Sequence, residues 1–275
     1  VSADSKTYEQ AIFTAGLSKH AHTYQGATRD VYRGGEGPAV LVLSEIPGIT
    51  PPTLRLCERL MRAGYRVVVP QLFGDPGRGA SLGAGLAALQ KVCVSREFEL
   101  LARNARSPIT DWLASLARHE QHGDSKVGVG VIGMCLTGSF ALAMMLEPAV
   151  VAPVMSQPSL PLPVSTSHRC ALGVSDAEFL TIKRRFEREE LTLLGLRFTA
   201  DRLVPAQRFE RLKRELGDRF VAVEIPSERG NAHALGPLSH SVLTEAYVDE
   251  PGHPTHAAFQ EVLALFQRHL RRRSS

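Results

Sequence analysis

At 275 residues with 44% hydrophobic side chains, the chain can bury a sizeable core, and α/β folds reach this length as one unit. Its net charge is only +4, from 32 basic against 28 acidic residues, and no basic stretch is interleaved with aromatics, which argues against a nucleic-acid partner. No apolar run approaches transmembrane length, and the first ten residues hold no basic region followed by an apolar run, so neither a membrane partner nor a signal peptide is expected.

Residues 1–27 are mixed and polar, with a weak helical stretch near Tyr8 to Leu17, and read as an N-terminal arm packed on a domain that fills 28–275. Thr28 to Arg33 reads as a first strand, turning at Gly34 to Gly37. Pro38 to Ser44, PAVLVLS, is a continuous apolar run of strand length, as expected where both faces of a strand are covered. After a loop through Glu45, Ile46 and Pro47, residues 51 to 63 carry helix signals: early prolines, Leu54, Leu56, Leu60 and Met61 at helical spacing, and Gly64 as a stop. Tyr65 to Pro70 is the next strand, so this β-α-β unit predicts a parallel sheet.

Gly74 to Gly85 is glycine-rich and reads as a long loop; a phosphate-binding loop is rejected because its lysine and Ser/Thr signature is absent. Residues 96–120 read as helical with a break at Ser107-Pro108, and Ala149 to Met155 as a strand followed by the proline-rich loop QPSLPLPVS. Ser175 to Glu190 is a charged amphipathic helix whose charge run reads as a solvated face. Leu191 to Phe198 is a strand, a helix follows to Leu216, Arg219 to Ile225 is the last strand, and a helix over residues 255 to 272 closes the chain. The basic residues Arg268, Arg271, Arg272 and Arg273 at its end suit the negative pole of the helix dipole.

The stretch Lys126 to Met145, KVGVGVIGMCLTGSFALAMM, passes from a β-type to a helix-type pattern at Gly133-Met134-Cys135-Leu136-Thr137-Gly138. This G-x-C-x-x-G is close to the strand–nucleophile–helix elbow of α/β-hydrolases, with Cys in place of Ser. The thiol would sit at a helix N-terminus, whose dipole favours a thiolate, with the Leu136 N–H aimed where an oxyanion forms. The alternative is a small core cysteine at a strand–helix junction. The four cysteines, Cys57, Cys93, Cys135 and Cys170, form no C-x-x-C pair and no zinc-ligand spacing, so no metal is expected and a cytoplasmic, reducing setting is.

Sites in an open parallel sheet form outside the carboxyl ends of the strands. Glu45, Cys135 and Asp201 each follow a predicted strand, and His240 lies in the loop after the last, in the order nucleophile, acid, histidine typical of α/β-hydrolases. Taken singly, Asp201 could be a helix N-cap and His240 a surface histidine. His233 is a rival to His240, which is preferred for the Ser241 that follows it. His253 and His256, at the entry to the last helix, read as structural.

SEIPGIT at 44–50, AGYRVVVPQLFG, GMCLTG at 133–138, ADRLVP at 200–205 and HSVLT at 240–244 together resemble the dienelactone hydrolase family over roughly residues 29–270. The resemblance implies an α/β-hydrolase fold, a doubly wound, mostly parallel sheet with helices on both faces. It implies Cys135 as nucleophile, His240 as base and later acid, and Asp201 as the residue orienting His240. It implies Glu45 as a carboxylate that helps generate the thiolate, Ile46 and Leu136 as oxyanion donors, and Ser241 as the serine after the histidine. The expected activity is hydrolysis of a small ester or lactone through a thioester, without a cofactor, by a monomer or homodimer. Where lactone-cleaving members carry an arginine shortly after His-Ser, this chain has Thr244; Arg96, Arg103 and Arg106 are candidates to supply that charge, and 175–190 reads as an insertion. Thr244 also motivates a rival reading, a non-catalytic binder of a small carboxylate; acyl transfer to an alcohol or amine is a third.

Overall fold

The computed structural model describes residues 10–73, 108–121 and 127–270. The glycine-rich stretch from Gly74, the first part of the helix expected from 96, Cys93, Arg96, Arg103, Arg106 and the terminal arginines from Arg271 lie outside the described residues.

Eight strands form one sheet: β1 (Ser18–Tyr24), β2 (Ala27–Gly34), β3 (Ala39–Leu43), β4 (Arg66–Pro70), β5 (Val129–Met134), β6 (Val150–Ser156), β7 (Leu193–Phe198) and β8 (Phe220–Ile225). Their order is β1-β2-β4-β3-β5-β6-β7-β8. From β4 through β8 every pairing is parallel, while β1 and β2 are antiparallel to each other and β2 is antiparallel to β4. A helical turn covers residues 10–14, and among the described residues the other α-helices are α1 (Pro51–Arg62), α2 (Pro108–Glu120), α3 (Gly138–Ala143), α4 (Thr166–Cys170), α5 (Asp176–Arg188), α6 (Ala206–Leu216) and α7 (Pro254–Leu270).

The apolar run of β3 divides its side chains between two cores. Val40 and Val42 pack with Leu56 and Leu60 of α1 and Val262 and Phe266 of α7, whereas Leu41 and Leu43 face Trp112 of α2, Phe140 of α3, Phe186 of α5 and Phe209 of α6. Helices therefore cover both faces of a mostly parallel sheet, as expected for an α/β-hydrolase fold. That double cover is why the central strands read as unbroken hydrophobic runs.

Two local readings need correction. The stretch expected as an arm over 1–27 carries the edge strand β1, which pairs with β2 from Ser18↔Arg33 to Tyr24↔Ala27. Gln25 and Gly26 turn between them at φ 48° and 80°, the left-handed pair of a tight hairpin. β1 is mostly exposed, so SKHAHTY lacks the apolar alternation that would have announced it. The helix over 175–190 is also more than a solvated face. Arg185 is buried, and its guanidinium donates to the carbonyls of Met145 (2.8 Å), Glu147 (2.7 Å) and Pro148 (2.8 Å), capping the end of the elbow helix region. Ser175 and Glu178 start this helix with a reciprocal capping box.

Candidate active site

β5 is buried along its whole length and delivers Cys135 at its carboxyl end. Cys135 has φ 55°, in the left-handed region that costs a non-glycine residue energy and is held only where its surroundings over-determine it. The flanking glycines are demanded by sterics. A Cβ on Gly133 would lie 2.2 Å from the Thr137 carbonyl oxygen, and one on Gly138 would lie 2.6 Å from Pro158 Cα. Thr137 fastens the turn: its hydroxyl accepts from Met134 N–H at 2.8 Å and lies 2.8 Å from the Leu43 carbonyl of the neighbouring strand. Leu136 N–H stands in the first turn of the helical segment, where no carbonyl four residues back is available to it.

Asp201 follows β7 and is buried. It does not cap α6, which starts at Ala206 behind Pro205. Its Oδ1 accepts from Leu203 N–H at 2.9 Å, and its Oδ2 lies 2.6 Å from His240 Nδ1. Buried Arg197 braces this turn by donating to the carbonyls of Val204 (3.1 Å) and Thr199 (3.0 Å) while pairing with Glu224 at 2.7 Å. His240 comes from the loop after β8. With Nδ1 taken by Asp201, Nε2 is the nitrogen left to face the sulfur; it is buried and makes no hydrogen bond of ordinary length and angle. Burial opposes charge on this imidazole, but the Asp201 carboxylate and the Cys135 sulfur outweigh it and push its pKa up to about 10.

Glu45, at the end of β3, is 6% exposed. Its Oε2 accepts from Ser241 hydroxyl at 2.6 Å and from Gln157 Nε2 at 3.3 Å, and its Oε1 accepts from the Thr244 hydroxyl. Gln157 in turn accepts from Val242 N–H at 3.3 Å. Arg59 of α1 donates to the Leu243 carbonyl at 2.7 Å and stacks 3.7 Å over the Tyr247 ring, pinning the same loop from outside. One ligand atom each from Glu45, Cys135 and His240 lie within 4.8 Å of one another. These are also the groups that could hold a cation here, though the three donors on Glu45 and the charge on His240 count against it.

The structure thus brings together Cys135, Asp201, His240, Glu45 and Ser241, with Ile46 and Leu136 each one residue beyond a site residue. It does not bring in His233, which is exposed with its ring against His253 at 5.1 Å. His253 contacts Thr255 at the start of α7, and His256 lies 3.4 Å from Asp249, so both have structural partners. Gln157, Ser159 and Thr244 were not anticipated as site residues. Gln157 and Ser159 follow β6, and the strand-end rule that located the other four groups points to them too; the proline-rich composition of that segment concealed it.

Arg208 of α6 is wholly buried and has no carboxylate partner among the described residues, and burial pulls its pKa down to about 10. Its guanidinium donates to the carbonyls of Pro158, Pro161 (2.5 Å), Ala171 (2.8 Å) and His168 (3.2 Å). Arg208→Met should therefore leave several buried carbonyls without donors and lower stability by about 3 kcal/mol or more. Urea unfolding of the variant checks this as a lowered midpoint. Of the other cysteines, Cys57 is buried and its thiol is pushed up to about 12, which makes it an internal unreactive control.

Comparison with known proteins bears on the family and the fold. The dienelactone hydrolase family matches residues 22–270. A carboxymethylenebutenolidase of Rhodococcus opacus is 32% identical over 114 residues, a match spanning 39% of this chain and 38% of that protein. Among solved structures, a dienelactone hydrolase from Anabaena variabilis ATCC 29413 superposes with a TM-score of 0.54 at 19% identity, covering 93% of this chain and 99% of that one. A dienelactone hydrolase-like promiscuous phosphotriesterase from metagenomic libraries does so with a TM-score of 0.59 at 14% identity, covering 93% and 98%. At these identities the structures speak for the fold, while the family match spans nearly the whole described chain. The chain belongs to the dienelactone hydrolase family.

Proposed function

We propose that this protein hydrolyses a small ester or lactone through a Cys135–His240–Asp201 triad and a thioester acyl-enzyme. The observation that carries the reading is the meeting of a thiol and a carboxylate from two strand ends with an imidazole from the loop after β8, the imidazole and acid 2.6 Å apart. The Cys135 proton moves to His240, and the thiolate attacks the ester carbonyl. The tetrahedral oxyanion is received by the N–H groups of Leu136 and Ile46, donors of a kind worth about 10²–10³ in rate. The imidazolium returns its proton to the departing alkoxide, the C–O bond breaks and a thioester remains. Water, deprotonated by His240, then attacks the thioester carbonyl; the C–S bond breaks, and the acid leaves with Cys135 restored. Asp201 holds the imidazole in the tautomer this cycle needs. Sulfur attack and imidazole proton transfer complete the chemistry without a cofactor.

Covalent trapping tests the assignment. An activated acyl ester should label Cys135 faster than Cys57, Cys93 or Cys170, as located by peptide mass spectrometry. Equal labelling of all four would favour a binding protein over a catalyst.

A further inference from the structure

The segment after β6 is fastened to the nucleophile elbow at several points. Pro158 abuts Gly138, the Ser139 hydroxyl donates to the Leu160 carbonyl at 2.5 Å, and Ser159 N–H donates to the Cys135 carbonyl at 3.0 Å. Arg208 grips the same segment from behind through Pro158 and Pro161. The result is a fixed position for the Ser159 side chain, which is 1% exposed and has its hydroxyl oxygen 3.4 Å from the Cys135 sulfur. Two polar groups therefore compete to influence the sulfur. Glu45 is the other, and its oxygens are already engaged by Ser241, Thr244 and Gln157, all neutral. The Glu45 carboxyl within 4.8 Å presents acceptor oxygens already in use, whereas the Ser159 hydroxyl can donate to a charge on sulfur.

We infer that Ser159 supports the Cys135 thiolate by donating its hydroxyl to the sulfur, while Glu45 remains bound to its three neutral donors. When the thiol proton passes to His240, one S–H bond is exchanged for one N–H bond and the Ser159 O–H turns toward the charge left on sulfur. This rests on the reading of Cys135 as nucleophile and deepens it. Glu45 then serves the site by tying the His240 loop to the end of β3, and Ser159 takes over the support of the thiolate.

Alkylation of Cys135 by iodoacetamide, followed against pH and located by peptide mass spectrometry, tests the assignment without any need for turnover. In Ser159→Ala the pH of half-maximal rate should rise by about one, and the rate well below it should fall about tenfold, the size expected for one hydrogen bond to a charged group. Ser159→Thr keeps the hydroxyl and should return the wild-type profile. A Ser159→Ala profile that overlays the wild type would overturn the inference, as would a Glu45→Gln rate depressed tenfold. Should the alanine variant not fold, Ser159→Gly against Ser159→Thr makes the same comparison, with coincident profiles as the adverse result. Because alkylation reads the sulfur alone, loss of the hydrolase assignment in turnover assays would leave this comparison standing.

Discussion

Replacing Cys135 with alanine should lower hydrolysis of a small activated ester by about 10⁴-fold or more. Among the described residues, Cys135 is the nucleophilic side chain that stands on the elbow after β5 beside the imidazole of His240. Asp201 is committed to His240 and Glu45 to three donors. The variant should keep its fold, because alanine removes only the sulfur while Gly133, Thr137 and Gly138 continue to hold the turn. It should also lose the covalent adduct with an acylating probe. Wild-type-like turnover in a correctly folded Cys135→Ala protein would sink the triad.

Asp201→Asn should lower turnover by about 10³–10⁴-fold with the fold intact, since an amide in the carboxylate's place favours the wrong imidazole tautomer. The pH dependence gives a second readout. Burial works against the His240 imidazolium, yet Asp201 and Cys135 carry its pKa from an ordinary 6.5 up to about 10. A folded value above the unfolded one means that this imidazole stabilises the native state fully below pH 6.5 and ceases to do so as pH rises through about 10. Removing the Asp201 charge takes away one of the groups raising that value. The alkaline limb of activity and the alkaline loss of stability should both move to lower pH in Asp201→Asn. Rate profiles and thermal unfolding between pH 6 and 10.5 would record this. An alkaline limb identical to wild type would place the orienting acid elsewhere.

Much of the fold could be read from residues alone because burial on both faces leaves an unmistakable trace. PAVLVLS and YRVVVP are continuous apolar runs since each side of those strands meets its own core. The elbow was legible for a different reason: Gly133 and Gly138 are forced by contacts of 2.2 and 2.6 Å, so the steric requirement is written as spacing. Edge strand β1 was not legible, because a strand exposed on most of its surface needs no apolar alternation. Arg185 and Arg208 look like ordinary surface charges in sequence. Their burial depends on carbonyls supplied by segments about 40 to 50 residues away, which no local pattern encodes.

Residue pattern alone located the strand ends after which Glu45, Cys135 and Asp201 stand and the loop that holds His240, because strand length and glycine spacing are local properties. The tertiary structure alone decided which groups meet: His240 rather than His233, Thr244 bound to Glu45, and Ser159 against the sulfur. Those contacts join residues from 24 to 199 positions apart, and their hydrogen bonds exist only once the sheet has brought the loops to one edge.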